Sequence, residues 1–166
     1  MNKKRFAILT LVVIFVQSGI LSAINIFSAV ANLYIVYLIC LAMLYGRDWA
    51  AYTGLGLGLM EDVMFSNVLG IHSLIYFLIG YLSGTLLKNG GGRIVTGAIF
   101  VFVSSIVAKV GVVLISLIID PKLAQVSYLK GPAIFEGLLN MGLYIVFIFI
   151  IKKVIPPYPI RKFTGI

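Results

Sequence analysis

The sequence predicts an all-α membrane protein, a six-transmembrane-helix bundle with both ends of the chain in the cytoplasm. Three observations carry that prediction. Hydrophobic residues make up 61% of the 166-residue chain and the mean hydropathy is +1.14, more apolar surface than a soluble domain of this size can hide. A helix crosses a bilayer with about 20 apolar residues, which leaves length for about six crossings and nothing else. The basic residues, Lys109 apart, flank the apolar runs.

The elements follow in order. The first helix spans about 6–24; its apolar run is too long for a cleavable leader and lacks a small-residue cleavage site. The second spans about 26–45 after a turn too short for a soluble loop. Arg47-Asp48-Trp49 marks an interface, with Trp49 as a belt aromatic. The third helix, about 50–65, is short and tilts or thins the bilayer. The fourth spans about 69–87 and is broken by Asn89-Gly90-Gly91-Gly92. The fifth, about 94–119, stops at Asp120-Pro121, because proline disfavours helical geometry in the residue before it. The sixth, about 132–151, opens on Pro132, which suits a first turn. A basic tail, 152–166, carries Pro156, Pro157 and Pro159. The whole, 1–166, reads as one integral membrane domain.

Lysine and arginine bias fixes the orientation. With the amino terminus inside, Lys3, Lys4, Arg5, Arg47, Lys88, Arg93, Lys152, Lys153, Arg161 and Lys162 are cytoplasmic. Lys122 and Lys130 fall outside, and Lys109 lies within a span. The net charge of +8 is therefore a topology signal. Nucleic-acid binding would need a basic face, and none exists. The single cysteine, Cys40, sits in an apolar run and reads as a small buried hydrophobe.

Against this apolar background, Gly54-Leu55-Gly56-Leu57-Gly58-Leu59-Met60-Glu61-Asp62 stands out. An ionised carboxylate near hydrocarbon is costly and usually has a partner or a task. A rise of about 1.5 Å per residue places Glu61, Asp62 and His72 near the outer face, with Lys109 roughly 15 Å deep and Asn140 roughly 12 Å deep. Glu136 and Asn140 are four apart and share a helix face. Asp62, His72, Lys109, Glu136 and Asn140 thus form an expected polar cluster in the outer half, with Lys109 the counter-charge of Glu136 or Asp62. Glu61 is expected to meet solvent or headgroups. No spacing matches a zinc or calcium site, and no nucleophile has a base beside it, so neither a cofactor nor a covalent mechanism is expected.

Small residues at i, i+4 let membrane helices approach closely. Gly54 and Gly58 form one such pair, Gly80 and Gly84 another on the next helix, which predicts a tight hairpin. Tyr76, one turn before Gly80, is expected to cross it with its hydroxyl. Gly97, Ser104 and Gly111 repeat every seven on the fifth helix.

The run Gly54-xxx-Gly58-Leu59-xx-Asp62, then Leu69-Gly70, Leu74 to Tyr76 and Gly80-Tyr81, resembles the signature of the MreD family of rod shape-determining membrane proteins. Pro132 and Asn140 in the last helix fit as well. The resemblance is sharpest over 54–84. It implies a non-enzymatic scaffold of the bacterial cell-wall elongation machinery, in the cytoplasmic membrane. Its implied partners are the membrane span of MreC, RodA with its class B penicillin-binding protein, and, indirectly, the MreB filament. Membrane lipids and a second copy of the chain are further partners for its helix faces. Gly54, Gly58, Asp62, Gly70, Tyr76, Gly80 and Gly84 would be the packing and partner-binding residues. Partner docking would use the glycine faces of helices three and four, or Ser18, Gly19, Ser22 and Ala23 on helix one. The family's fold is also similar to the S components of energy-coupling-factor transporters, and a vitamin-type binder of that kind is the alternative reading. Stabilisation by a small ligand would separate the two.

Overall fold

The computed structural model describes residues 3–21, 29–66, 68–89, 94–119 and 132–155. Among them the chain forms six α-helices: α1 (Lys3–Phe15, continued by a π-helical turn at Val16–Ile20), α2 (Leu33–Tyr45), α3 (Arg47–Phe65), α4 (Ile71–Asn89), α5 (Ile94–Ile119) and α6 (Pro132–Val154).

The bundle is organised around α2. Its sequence, LYIVYLICLAMLY, has no charged residue and no polar stripe. A helix that is apolar all round belongs in the interior, and every residue from Leu33 to Ala42 is buried. The other five helices pack on it. Their outward faces carry large exposed apolar side chains, among them Phe15, Tyr52, Leu86, Ile118 and Val146. A belt of this extent marks a surface made for lipid or protein. Helices α5 and α6 are long and apolar enough to cross a membrane. Leu33–Tyr45 and Ile71–Leu87 are shorter apolar helices.

The second helix starts at Leu33 and not near residue 26. Asn32 is extended (φ −107°, ψ 93°) and its side chain accepts from the Ile35 N–H, an N-cap that satisfies one of the first-turn donors. The thirteen-residue helix that remains is about 20 Å long, and its capped end lies inside the bundle. Residues 22–28, with the end of the first expected helix and the start of the second, lie outside the described residues. So do the tail beyond 155, the Gly90–Gly92 break and Asp120-Pro121.

The third helix begins earlier than expected, at Arg47. Gly46 takes φ +87°, a left-handed conformation that glycine adopts without strain, and turns the chain sharply from α2 into α3. Asp48 in the first turn suits the positive end of the helix dipole. The fourth helix starts two residues late, because Gly70 at φ +102° closes the turn from α3.

Helices α3 and α4 form the tightest pair. An added Cβ on Gly54 would collide with the Tyr76 backbone, and one on Gly58 with the backbone of His72 and Ser73. From the other side, Gly80 abuts the backbone of Ala50 and Ala51, and Gly84 that of Arg47. The four glycines therefore interlock main chain against main chain, which only residues without side chains permit. Arg47 also lies over the Tyr81 ring, 5.4 Å from its centroid. On the opposite side, Gly97 receives the Tyr144 hydroxyl and Met43, and Gly137 receives Phe102, which seats α6 against α5.

Candidate functional site

Most of the buried polar groups, Ser83 apart, gather toward one end of the bundle, where α2, α4 and α6 begin and α3 ends. They divide into a clasp between α3 and α4 and a network across the top of α2.

Asp62 makes the clasp. It is fully buried, and its carboxylate accepts four hydrogen bonds from the start of α4. Oδ2 accepts from the N–H of Gly70 (2.9 Å) and Ser73 (3.1 Å). Oδ1 accepts from the His72 N–H (3.1 Å) and pairs with His72 Nδ1 (2.8 Å). The first N–H groups of a helix have no partner within it, and a carboxylate there also meets the positive end of the dipole. Asp62 thus caps α4 from a neighbouring helix. Gly58 is one turn earlier on the same face, and its missing side chain lets that face reach α4. A neutral His72 must carry its proton on Nδ1 to donate to Asp62.

The network starts at the cap of α2. The Asn32 N–H donates to Asn140 Oδ1 (2.7 Å), and Asn140 Nδ2 donates to Ser105 Oγ (2.9 Å). The Ser105 hydroxyl donates to the Val101 carbonyl (2.8 Å). Asn32 Nδ2 donates to the Tyr76 hydroxyl (2.6 Å), and Tyr76 interacts with the Glu61 carboxyl. Gln17 ties the end of α1 to this cap by donating to the Ala31 carbonyl (3.2 Å) and accepting from the Leu33 N–H (2.7 Å). One turn above Ser105, Lys109 Nζ pairs with Glu136 Oε2 at 3.0 Å. Glu136 is almost wholly enclosed and Lys109 part-exposed, so the long lysine stem delivers its charge inward from the rim.

This geometry refines the expected cluster. Lys109 pairs with Glu136 and not with Asp62, whose carboxylate is filled by α4 donors. Asn140 meets Ser105 and Asn32. The Tyr76 hydroxyl reaches α2 at Asn32. Glu61 does not turn outward as expected: it shares the inward face of Leu57, one turn earlier, and its Oε2 is shielded from solvent with no hydrogen-bond partner. The four packing glycines are used within the chain, face to face across the hairpin, so they present no groove to a partner helix. Sequence reasoning missed Asn32, Gln17 and Ser105. Asn32 did carry a signal, as a capping residue directly before an apolar run.

The model of one protein family, rod shape-determining protein MreD, matches residues 3–155. The chain belongs to the MreD family. The match takes in every described helix, the Asp62 clasp and the network over α2. Rod shape determination is thus the process in which this membrane protein acts. Searches of curated proteins and of solved structures returned no match. Among the described residues no group of three metal-ligating side chains occurs. The polar groups, as placed, tie helix ends together, and among the described residues Glu61 Oε2 and the Tyr34 hydroxyl are buried without a hydrogen-bond partner.

Proposed function

We propose that this MreD-family chain is a non-enzymatic scaffold of the cell-wall elongation machinery in the bacterial cytoplasmic membrane. It crosses the membrane six times with both termini inside, in an arrangement akin to the S components of energy-coupling-factor transporters, and holds the membrane span of MreC. Through MreC it meets RodA, the class B penicillin-binding protein and, indirectly, the MreB filament. The observation that carries this reading is the family match over 3–155. The ten-to-two bias of basic residues across the apolar runs supports the orientation, and the belt of exposed apolar side chains supports the crossings. Cytoplasmic basic residues add about 1 kcal/mol each of attraction to anionic lipid.

The interlocked glycines move the dock to α1. Gly19 is exposed with nothing within 4 Å of an added Cβ, and Ile8, Leu11, Val12 and Phe15 of the same helix face outward. Ser22 and Ala23 lie outside the described residues. The test is co-purification from native membrane. MreC is recovered with the wild type and lost with Gly19→Leu, whose thermal midpoint stays unchanged. Recovery of MreC with Gly19→Leu rules out the α1 dock; no MreC with the wild type rules out the scaffold.

A further inference from the structure

Among the described residues two buried side-chain atoms lack a hydrogen-bond partner, Glu61 Oε2 and the Tyr34 hydroxyl. Asp62 has four donors, and Glu136 has Lys109. Glu61 has His72, the Tyr76 hydroxyl and Lys109 in its surroundings, while its Oε2 is shielded and has no hydrogen-bond partner. A second group nearby is also unsatisfied: Tyr34 is 1% exposed and its buried hydroxyl makes no hydrogen bond of good geometry, with Ser18 and Glu61 in its surroundings. A buried unpaired carboxylate oxygen is among the most expensive groups in a protein interior.

Tyr76, whose hydroxyl meets the Glu61 carboxyl, belongs to a cluster of rings. Tyr34 and Tyr76 meet edge to face with centroids 6.2 Å apart, and His72 and Tyr76 at 6.0 Å. Ring faces beside a carboxylate attract cations. Among the described residues no group of three His, Cys, Asp or Glu side chains that could hold a metal ion occurs. A cation that binds through N–H groups fits both the oxygen and the rings. At the same end of the bundle the His72 and Lys109 side chains are 22% and 37% exposed.

We propose that Glu61, with Tyr34 and Tyr76, forms a binding site for a primary ammonium group, supplied by the headgroup of an amino-phospholipid or by a free amine. The ammonium donates to Glu61 Oε2 and to the Tyr34 hydroxyl, and its charge rests against the two rings. The inference is independent of the scaffold reading, because it concerns what occupies the bundle and not which protein docks on it.

The experiment uses the full chain purified in detergent, with the thermal midpoint read against titrated ethanolamine, phosphatidylethanolamine, phosphatidylcholine and phosphatidylglycerol. Saturable stabilisation by phosphatidylethanolamine alone assigns the lipid as source; stabilisation by ethanolamine as well assigns a free amine. Phosphatidylcholine, which has no N–H, binds at least tenfold more weakly, and phosphatidylglycerol gives no saturable effect. Glu61→Gln weakens the amine effect at least tenfold while raising the midpoint without amine. Tyr34→Phe, which keeps the ring, weakens it three- to tenfold and serves if Glu61→Gln does not fold. No saturable effect of either amine on the wild type overturns the site, as does equal response to phosphatidylcholine or full binding in Glu61→Gln.

Discussion

Removing the Asp62 carboxylate should loosen the start of α4 more than any other single polar change in the chain. Asp62→Ala takes the acceptor from three backbone N–H groups, those of Gly70, His72 and Ser73, and from the His72 ring. A buried donor left unsatisfied costs about 1–3 kcal/mol. Ser73 is buried, while Gly70 and His72 are part-exposed and recover some solvation, so the total comes to about 3–5 kcal/mol. At about 2–4 °C per kcal/mol for a chain of this size, the midpoint falls by about 6–20 °C. Asp62→Asn keeps one acceptor oxygen and should lose roughly half as much. Thermal unfolding in detergent, followed by tryptophan fluorescence, measures both. Asp48→Asn is the control, because Asp48 pairs with Arg47 at the exposed surface, where such pairs contribute about 0–1 kcal/mol. If Asp62→Ala melts within about 2 °C of wild type, the clasp does not hold α4 and the reasoning fails.

Three further outcomes follow from the packing. Gly58→Ala and Gly80→Ala each force a methyl against backbone and should cost about 1–3 kcal/mol or more; Gly56→Ala, with open space around it, should gain up to about 1 kcal/mol from helix propensity. The same melts read all three. Lys109→Met strands Glu136 and should cost about 3 kcal/mol, the low end of the range for a broken buried pair because Lys109 is part-exposed. Adding Glu136→Leu should recover most of that loss, and a double-mutant cycle by chemical denaturation checks it. Tyr76→Phe removes the hydroxyl that joins Asn32 to Glu61 and should cost about 1–2 kcal/mol, measured the same way.

Much of this was legible in the sequence, for physical reasons. Hydropathy and breakers located the helices, because in a chain with 11% charged residues each charge or glycine run is a landmark. Depth counting put Asn140 level with Lys109 and left Glu136 or Asp62 as its counter-charge; the ion pair forms with Glu136, one turn before Asn140 on the same face, because the long lysine stem reaches past its own level. The small-residue spacing predicted the α3–α4 hairpin. It could not say whether those faces were taken by each other or left for a partner, because glycine spacing is the same in both cases. The side on which Glu61 faces was missed for another reason: its surroundings were judged from helix depth alone, although Leu57 one turn earlier shares its face. The start of α2 was placed too early because hydropathy does not register a cap. Asn32 starts the helix at Leu33 by accepting from the Ile35 N–H, a first-turn donor with no partner inside the helix.

The docking face is open to a direct reading. A photo-crosslinking residue placed at Gly19 on the turn that continues α1, or at Leu86 on the exposed side of α4, reports which surface MreC touches in native membrane. The account predicts a crosslink to MreC from position 19 and none from position 86. A crosslink from position 86 with none from 19 would contradict it.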